Sequence, residues 1–64
     1  MLPHQQRVVD EKRELDDRIE KLMQFLATPV FRGLDHGEQS RLRIQLSAME
    51  TYGACLGERI CYFS

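Results

Sequence analysis

The sequence predicts an all-α fold: an antiparallel two-helix hairpin with a short helical elbow, assembled into a homo-oligomer. Two segments with helical spacing of their apolar residues flank a short stretch that contains a proline and a glycine. The chain has 64 residues, and chains below about 70–80 residues rarely bury enough apolar surface to be stable alone. We therefore expect one helical domain over residues 1–64, with a helix over about 3–26, an elbow over 27–35 and a helix over about 36–63.

The first helix is predicted from one apolar seam. Pro3 suits a first helical turn, where its missing N–H costs nothing. Lys12 takes the place of one apolar residue in the seam, and acidic residues precede basic ones by four positions on the outer face. The seam residues are Val8, Leu15, Ile19, Leu22 and Leu26.

The elbow carries its own start and stop signals. Thr28 can cap a short turn, and Gly33 is expected to end that turn in a left-handed conformation. Asp35 and Glu38 have the spacing of a capping box. A second helix should therefore begin near His36.

The second helix is predicted from two stripes of residues. Gly53 leaves a gap in the first stripe, which should let a backbone or a bulky side chain approach closely. That stripe is a heptad seam formed by Leu42, Leu46, Met49, Gly53, Leu56, Ile60 and Phe63. The second stripe mixes small, aromatic, polar and cationic residues, which favours a contact with another protomer, a ligand or both. It consists of Gln45, Ala48, Tyr52, Cys55, Arg59 and Tyr62.

The cysteines and histidines do not supply a staple for this small chain. Cys55 and Cys61 lie on different faces of one predicted helix, so a disulfide between them is not expected. His4 and His36 stand apart from them, and no metal-ligand spacing results. Oligomerisation remains as the means of completing the core.

Charge and hydropathy exclude several kinds of partner. The net charge is −1, which gives no general attraction to DNA or to anionic lipid. No apolar run is long enough to span a bilayer, and the first residues contain no signal-peptide core. We expect a cytoplasmic protein with neither DNA nor a membrane as partner.

The residues favour binding over catalysis. No phosphate-cradling glycine loop is present, and a Cys55–histidine pair would have little to orient it on two helices, so we expect no enzyme and no cofactor. A pocket between protomers can combine rings that stack on bases with guanidinium groups that bind phosphates. The candidate ligand-binding residues are His4, Arg7, Arg18, Tyr52, Arg59 and Tyr62. Ordinary surface pairing and interface packing are the alternative roles for each of them.

Three sequence patterns together resemble one phage family over nearly the whole chain. These are Gln6-Arg7-Val8-Val9-x-Glu11-Lys12-x-Glu14-Leu15-Asp16, then Lys21-Leu22-x-x-Phe25, and then Gln45-x-x-x-Met49-x-x-Tyr52-x-x-x-Leu56-x-Glu58-Arg59-Ile60. The chain is similar to the small anti-CBASS proteins of the second type and to their related small phage proteins. Those proteins are sponges for cyclic oligonucleotide signals.

The resemblance implies a helical homohexamer that sequesters cyclic di- and trinucleotides without cleaving them, in the cytoplasm of an infected bacterium, and so blocks antiviral signalling. Arg18 matches a basic contact to the dinucleotide, and Arg59 a contact to a trinucleotide phosphate. The family stacks an aromatic ring near the N-terminus on a base, whereas this chain has Pro3 and His4 there. A cyclic ADP-ribose-type signal is therefore an alternative ligand, and a purely structural or protein-binding helical oligomer is an alternative function.

Overall fold

The computed structural model describes residues 1–63, which form helices and no strand. The helices are α1 (Pro3–Leu26), α2 (Pro29–Arg32) and α3 (His36–Cys61). α1 packs against α3, and α2 is the elbow between them, so the predicted all-α class is confirmed. α3 ends two residues before the expected position, because Tyr62 takes the cap. Ser64, the last residue of the expected domain, lies outside the described residues.

Side-chain caps set the ends of the elbow. The Thr28 hydroxyl accepts a hydrogen bond from the backbone N–H of Phe31 at 3.3 Å, and the Asp35 carboxylate accepts one from that of Glu38 at 2.8 Å. The prediction of a left-handed conformation at Gly33 is wrong, because the φ of this residue is −82° and its ψ is −8°. The chain reverses instead after this residue, where Asp35 is extended.

The elbow is fixed to the start of α3 by one amide and one guanidinium. The side-chain amide of Gln39 donates to three backbone carbonyl oxygens, those of Phe31 (3.2 Å), Arg32 (3.2 Å) and Leu34 (2.9 Å). The Arg43 guanidinium lies 5.0 Å from the centroid of the Phe31 ring. Phe25 meets that ring edge-on at a centroid distance of 6.1 Å. These contacts hold α1 and α3 together at the elbow end.

The core is a thin seam between α1 and α3. Leu56 is fully buried, with 0% of its surface exposed, and it packs with Val8 and Leu15. Four partly buried side chains extend this cluster: Ile19, Met49, Ile60 and Phe63. Phe31 in the elbow is the remaining buried apolar side chain of residues 1–63.

The hairpin is more extended than a compact protein of its size. It measures 46 × 14 × 14 Å, and its radius of gyration is 14.7 Å, against about 11 Å for a compact chain of this length. Its accessible surface is 4881 Å², which is roughly 600 Å² more than a compact monomer of this mass exposes. The excess is available for burial against another molecule.

We predict that Gly53→Ala stabilises the protein. A methyl group there would lie 3.6 Å from Leu15 Cδ2 and from Ile19 Cδ1, which is ordinary van der Waals contact. Alanine also removes a helix penalty of up to about 1 kcal/mol. The midpoint of urea unfolding should therefore rise.

Gly57→Ala is the matched control, because a methyl group there would lie 3.1 Å from Lys12 Cε and the lysine stem would have to move. Its gain in stability should be smaller. A loss of stability in Gly53→Ala would contradict this packing and show that the glycine serves a closer approach than the hairpin itself makes.

Candidate functional site

One hydrogen bond across the hairpin defines a surface that we call the Tyr52 flank. The Tyr52 hydroxyl on α3 donates to a carboxylate oxygen of Glu11 on α1, so the two side chains project to the same side. At 100° per residue, three further α1 residues lie within about 40° of Glu11 around the helix, and two α3 residues lie within about 80° of Tyr52. The complete flank consists of His4, Arg7, Glu11, Arg18, Tyr52, Arg59 and Tyr62.

The structure therefore brings all six sequence-predicted residues to one flank but not to one pocket. His4 and Arg18 are about 21 Å apart along α1, and Tyr52 and Tyr62 are about 15 Å apart along α3, from the helical rise. Tyr62 is 80% exposed and Tyr52 is 46% exposed. The flank is a long open surface on which a second molecule could be bound at more than one level.

An open depression of about 430 Å³ lies at the C-terminal end of α3, within the size range of ligand sites. Two of the predicted residues, Arg59 and Tyr62, line it. The remaining lining residues are Cys55, Glu58 and Phe63. The sequence placed Cys55 in the second stripe and Phe63 in the heptad seam, but it selected none of the three as a ligand-binding residue. The spacing of Glu58 from Cys55 and Tyr62 by three and four positions is the signal that would have found Glu58, because it places these residues on one face of the helix.

The arginines of the flank differ in their partners. The Arg18 guanidinium lies 3.9 Å from the Glu14 carboxylate, and both side chains are exposed, so this ion pair contributes little to stability. Within residues 1–63, neither Arg7 nor Arg59 forms an ion pair. Their guanidinium groups are available to an external anion at no cost in broken pairs.

The phenol of Tyr52 is held in its neutral form. Its hydrogen bond to Glu11 is the largest cause that raises its pKa above 10.0, and the negative charge of that carboxylate acts in the same direction. The positive charge of Arg59, which lies seven residues further along the same face of α3, opposes the rise of the pKa. Tyr52 and Arg59 thus belong to one electrostatic environment.

The histidines and cysteines are dispersed. His4 lies in the first turn of α1 and His36 opens α3, so they occupy opposite ends of the hairpin. Cys55 and Cys61 are both free and exposed. In the part of the chain that the structure describes, no three histidine, cysteine or acidic side chains are grouped as metal ligands would be.

A family model matches almost the whole hairpin. The match is to Sequestin and runs over residues 2–62, which include both long helices and every residue of the Tyr52 flank. The chain belongs to the Sequestin family.

A phage protein is similar to this Sequestin family member along its full length. It is the "uncharacterized 7.5 kDa protein in denB-rIIB intergenic region" of Enterobacteria phage T4, which is 36% identical over 63 residues and covers 98% of each chain. This relative supports the phage origin that the resemblance implied. No solved structure matches the chain, and within residues 1–63 no helix has the length and hydropathy of a membrane span.

We predict that Tyr52 ionises above pH 10.0, because the Glu11 carboxylate favours the neutral phenol. In a Tyr62→Phe background, ultraviolet absorbance should report the Tyr52 phenolate alone, and Glu11→Gln should lower the midpoint toward 10.0. Since the pKa is raised in the folded state, the stabilisation from this bond is complete below pH 10 and is lost as the pH rises through the raised pKa.

Glu14→Gln is the control for this titration. Glu14 lies one turn further along α1 and pairs with Arg18, so its removal should leave the Tyr52 midpoint in place. An equal shift in both variants would mean that the general charge of α1, and not the hydrogen bond, sets the pKa.

Proposed function

We propose that this protein is a phage anti-defence sponge that binds and sequesters cyclic nucleotide second messengers, di- or trinucleotides, without cleaving them. Sequestering the messenger would block antiviral signalling in the host. Two findings support the proposal: the family name denotes sequestration, and a relative that matches 98% of the chain comes from a phage. The class of ligand comes from the resemblance of the sequence to the second type of anti-CBASS protein.

The Tyr52 flank is the observation that carries this proposal. It presents exposed phenols beside guanidinium groups, and two of the latter, on Arg7 and Arg59, have no carboxylate partner within residues 1–63. Aromatic rings stack on bases of any sequence, and guanidinium groups bind phosphates bidentately. A cyclic oligonucleotide offers both groups in one small molecule.

The separation of the arginines supports two places for ligands. Lys12 lies directly opposite Gly57, and this pairing puts Arg18 and Arg59 about 12 Å apart along the hairpin axis by the helical rise. At this separation, one small cyclic dinucleotide would not need to contact both arginines. We assign Arg18 to a dinucleotide contact and Arg59 to a trinucleotide-phosphate contact, as the resemblance implies.

We also propose that the pockets form between protomers of a homo-oligomer, which the resemblance makes a hexamer. The depression beside Arg59 and Tyr62 is open, and Tyr62 is mostly exposed. A neighbouring copy would supply the missing wall and exclude water, which strengthens phosphate binding. The same contact would cover apolar surface that one hairpin leaves exposed.

Binding without cleavage is consistent with the arrangement of the reactive groups. Cys55 lines the depression, but His4 lies about 15 Å from its level along the hairpin and His36 lies at the elbow end. Activation of this thiol by a histidine would need an imidazole within hydrogen-bonding distance. Turnover that disappears in Cys55→Ser would show that the protein is an enzyme instead.

The departure at the N-terminus favours a second ligand class. The stacking position that an aromatic ring holds in the resembled family carries Pro3 and His4 here, and both are exposed. An imidazole stacks more weakly on a base than a phenol does. A cyclic ADP-ribose-type messenger has a diphosphate for the arginines and fewer bases to stack, so it belongs in any test.

A binding titration tests the proposal. We expect calorimetry with cyclic dinucleotides, cyclic trinucleotides and cyclic ADP-ribose derivatives to show saturable binding of at least one compound, which is recovered unchanged after incubation. If none of these compounds binds, the exposed phenols and apolar side chains are better explained by a structural or protein-binding helical oligomer.

Arg59→Ala should weaken binding of at least one ligand by about tenfold or more, because a charge-assisted contact to phosphate is lost. Arg59→Lys should recover only part of the affinity, since an ammonium cannot bind bidentately. Light scattering should give the same oligomer mass for both variants and for the wild type.

The matched control is Arg13→Ala. Arg13 is an exposed arginine of α1 that pairs with Asp10 at 3.9 Å, and it points away from α3. Its removal changes the net charge by the same amount, so an equal loss of affinity in Arg13→Ala would reduce the Arg59 effect to long-range attraction. Loss of the oligomer in Arg59→Ala would make Arg59 a structural residue.

A further inference from the structure

A second face of α3 has a regular pattern that the hairpin leaves uncovered. Its residues recur at intervals of four, three, four, three and four, and all of them are exposed. We call this face the outer stripe, formed by Ile44, Ala48, Thr51, Cys55, Glu58 and Tyr62. It lies about 120° around the helix from buried Leu56. Heptad spacing of this kind is the pattern by which one helix packs along another.

The ends and the middle of the outer stripe differ in size. Ile44 is 67% exposed at one end and Tyr62 is 80% exposed at the other, whereas Ala48, Thr51 and Cys55 between them are small. Small residues at the centre let two helix backbones approach closely. Large apolar residues at both ends would then cover each other across the contact.

We infer that a second copy of this chain packs antiparallel along the outer stripe of α3 and closes the depression beside Arg59 and Tyr62. The two-fold axis of this pair would lie at the level of Gly53 along α3, on the opposite face of the helix from that residue. In this register Ile44 meets Tyr62 of the partner subunit, and Thr51 meets the partner's Cys55. The inference specifies the neighbour that the proposed function requires, and its account of the pocket rests on that function.

The helix dipoles favour the antiparallel orientation, because it places the positive end of each α3 beside the negative end of the other. The two halves of α3 also differ in charge, since the first carries two arginines and one glutamate and the second carries two glutamates and one arginine. Of these residues only Glu58 lies in the outer stripe, so the charges act at long range and do not form ion pairs across the contact.

The surface area of the hairpin fits this occupant. The excess of roughly 600 Å² over a compact monomer equals the share that one partner contributes to a small but specific interface. α3 spans 26 residues, about 39 Å, and a second α3 has the length to cover the stripe from end to end. An isologous pair would leave no stripe uncovered.

The pairing would complete the depression. Ile44 of the partner subunit would lie against Tyr62, and the partner's Arg41 would lie one turn further on, on the side of Arg59. The Arg41 side chain bonds Glu38 through Nε at 2.9 Å and its terminal nitrogens lie beside Gly37, so the guanidinium would turn away from Gly37 to bind an anion in the pocket. Each pair of chains would hold two such pockets, each with guanidinium groups from both copies.

Disulfide cross-linking tests the pairing without any ligand. In a Cys61→Ser background, Thr51→Cys should oxidise at micromolar concentration to a dimer held by two bonds between position 51 and the partner's Cys55, as peptide mass spectrometry would show. The background alone should cross-link poorly, because the two Cys55 thiols lie too far apart. Glu20→Cys in the same background places a second exposed thiol on α1 and should not join Cys55.

Two outcomes overturn the pairing. A dimer or larger assembly by light scattering without the 51–55 bond would place the interface on another face, and a monomer would remove it altogether. Thr51→Arg, a change at an exposed position, should keep its helical circular dichroism and lose the assembly, while Asp17→Arg on α1 keeps it. An intact assembly in Thr51→Arg also contradicts the inference.

A third variant separates the pocket from the pairing. Arg41→Ala should lower the affinity for the ligand found in the titration by about tenfold or more. The mass of the oligomer should stay unchanged. Unaltered affinity would show that the partner's Arg41 does not reach the pocket. If no compound binds, the proposed function fails and the partner's arginine has no role, whereas the cross-link still decides the interface.

Discussion

The limited burial between α1 and α3 is the constraint on which the rest of the structure depends. Three buried side chains, of which one leucine is fully enclosed, and four partly buried neighbours hold two helices of 24 and 26 residues together. Burial of this extent offsets little of the conformational entropy that folding removes. The elbow contacts of Gln39 and Arg43 therefore matter, because they tie the helices at one end. The apolar surface that the hairpin leaves exposed is available for contacts between protomers and for the pockets between them.

Local sequence was sufficient to predict the helices but not every detail of their junction. Apolar spacing and the cap at Asp35 depend on neighbours within one or two turns, so they can be interpreted without a structure. The conformation of Gly33 was predicted wrongly, because a glycine after a helix commonly adopts a left-handed conformation. In this chain the direction reverses two residues later, at Asp35. The contact of Lys12 could not be predicted from local sequence either, because the aliphatic part of its side chain packs on Gly57 of the other helix.

The flank was predictable for a similar reason, and its contacts were not. Arg59 and Tyr62 stood out because aromatic and cationic residues share one stripe of a single helix. Glu11 was not among the candidate residues, and only the pairing of the helices brings it to Tyr52. The depression likewise depends on Phe63, which the pattern assigned to the apolar seam. Contacts between distant parts of the chain need the register of the hairpin, and local spacing does not supply it.

The two tyrosines allow binding to be followed by the intrinsic fluorescence of the protein. The chain has no tryptophan, so its intrinsic fluorescence comes from tyrosine alone. The ring hydrogen-bonded to a carboxylate emits weakly, because an excited phenol readily gives its proton to such an acceptor. The Tyr62 hydroxyl, at the mouth of the depression, forms no hydrogen bond to a carboxylate within residues 1–63. The tyrosine emission therefore comes mainly from Tyr62. Binding of a molecule in the depression should change this emission, so no added dye is needed to detect it.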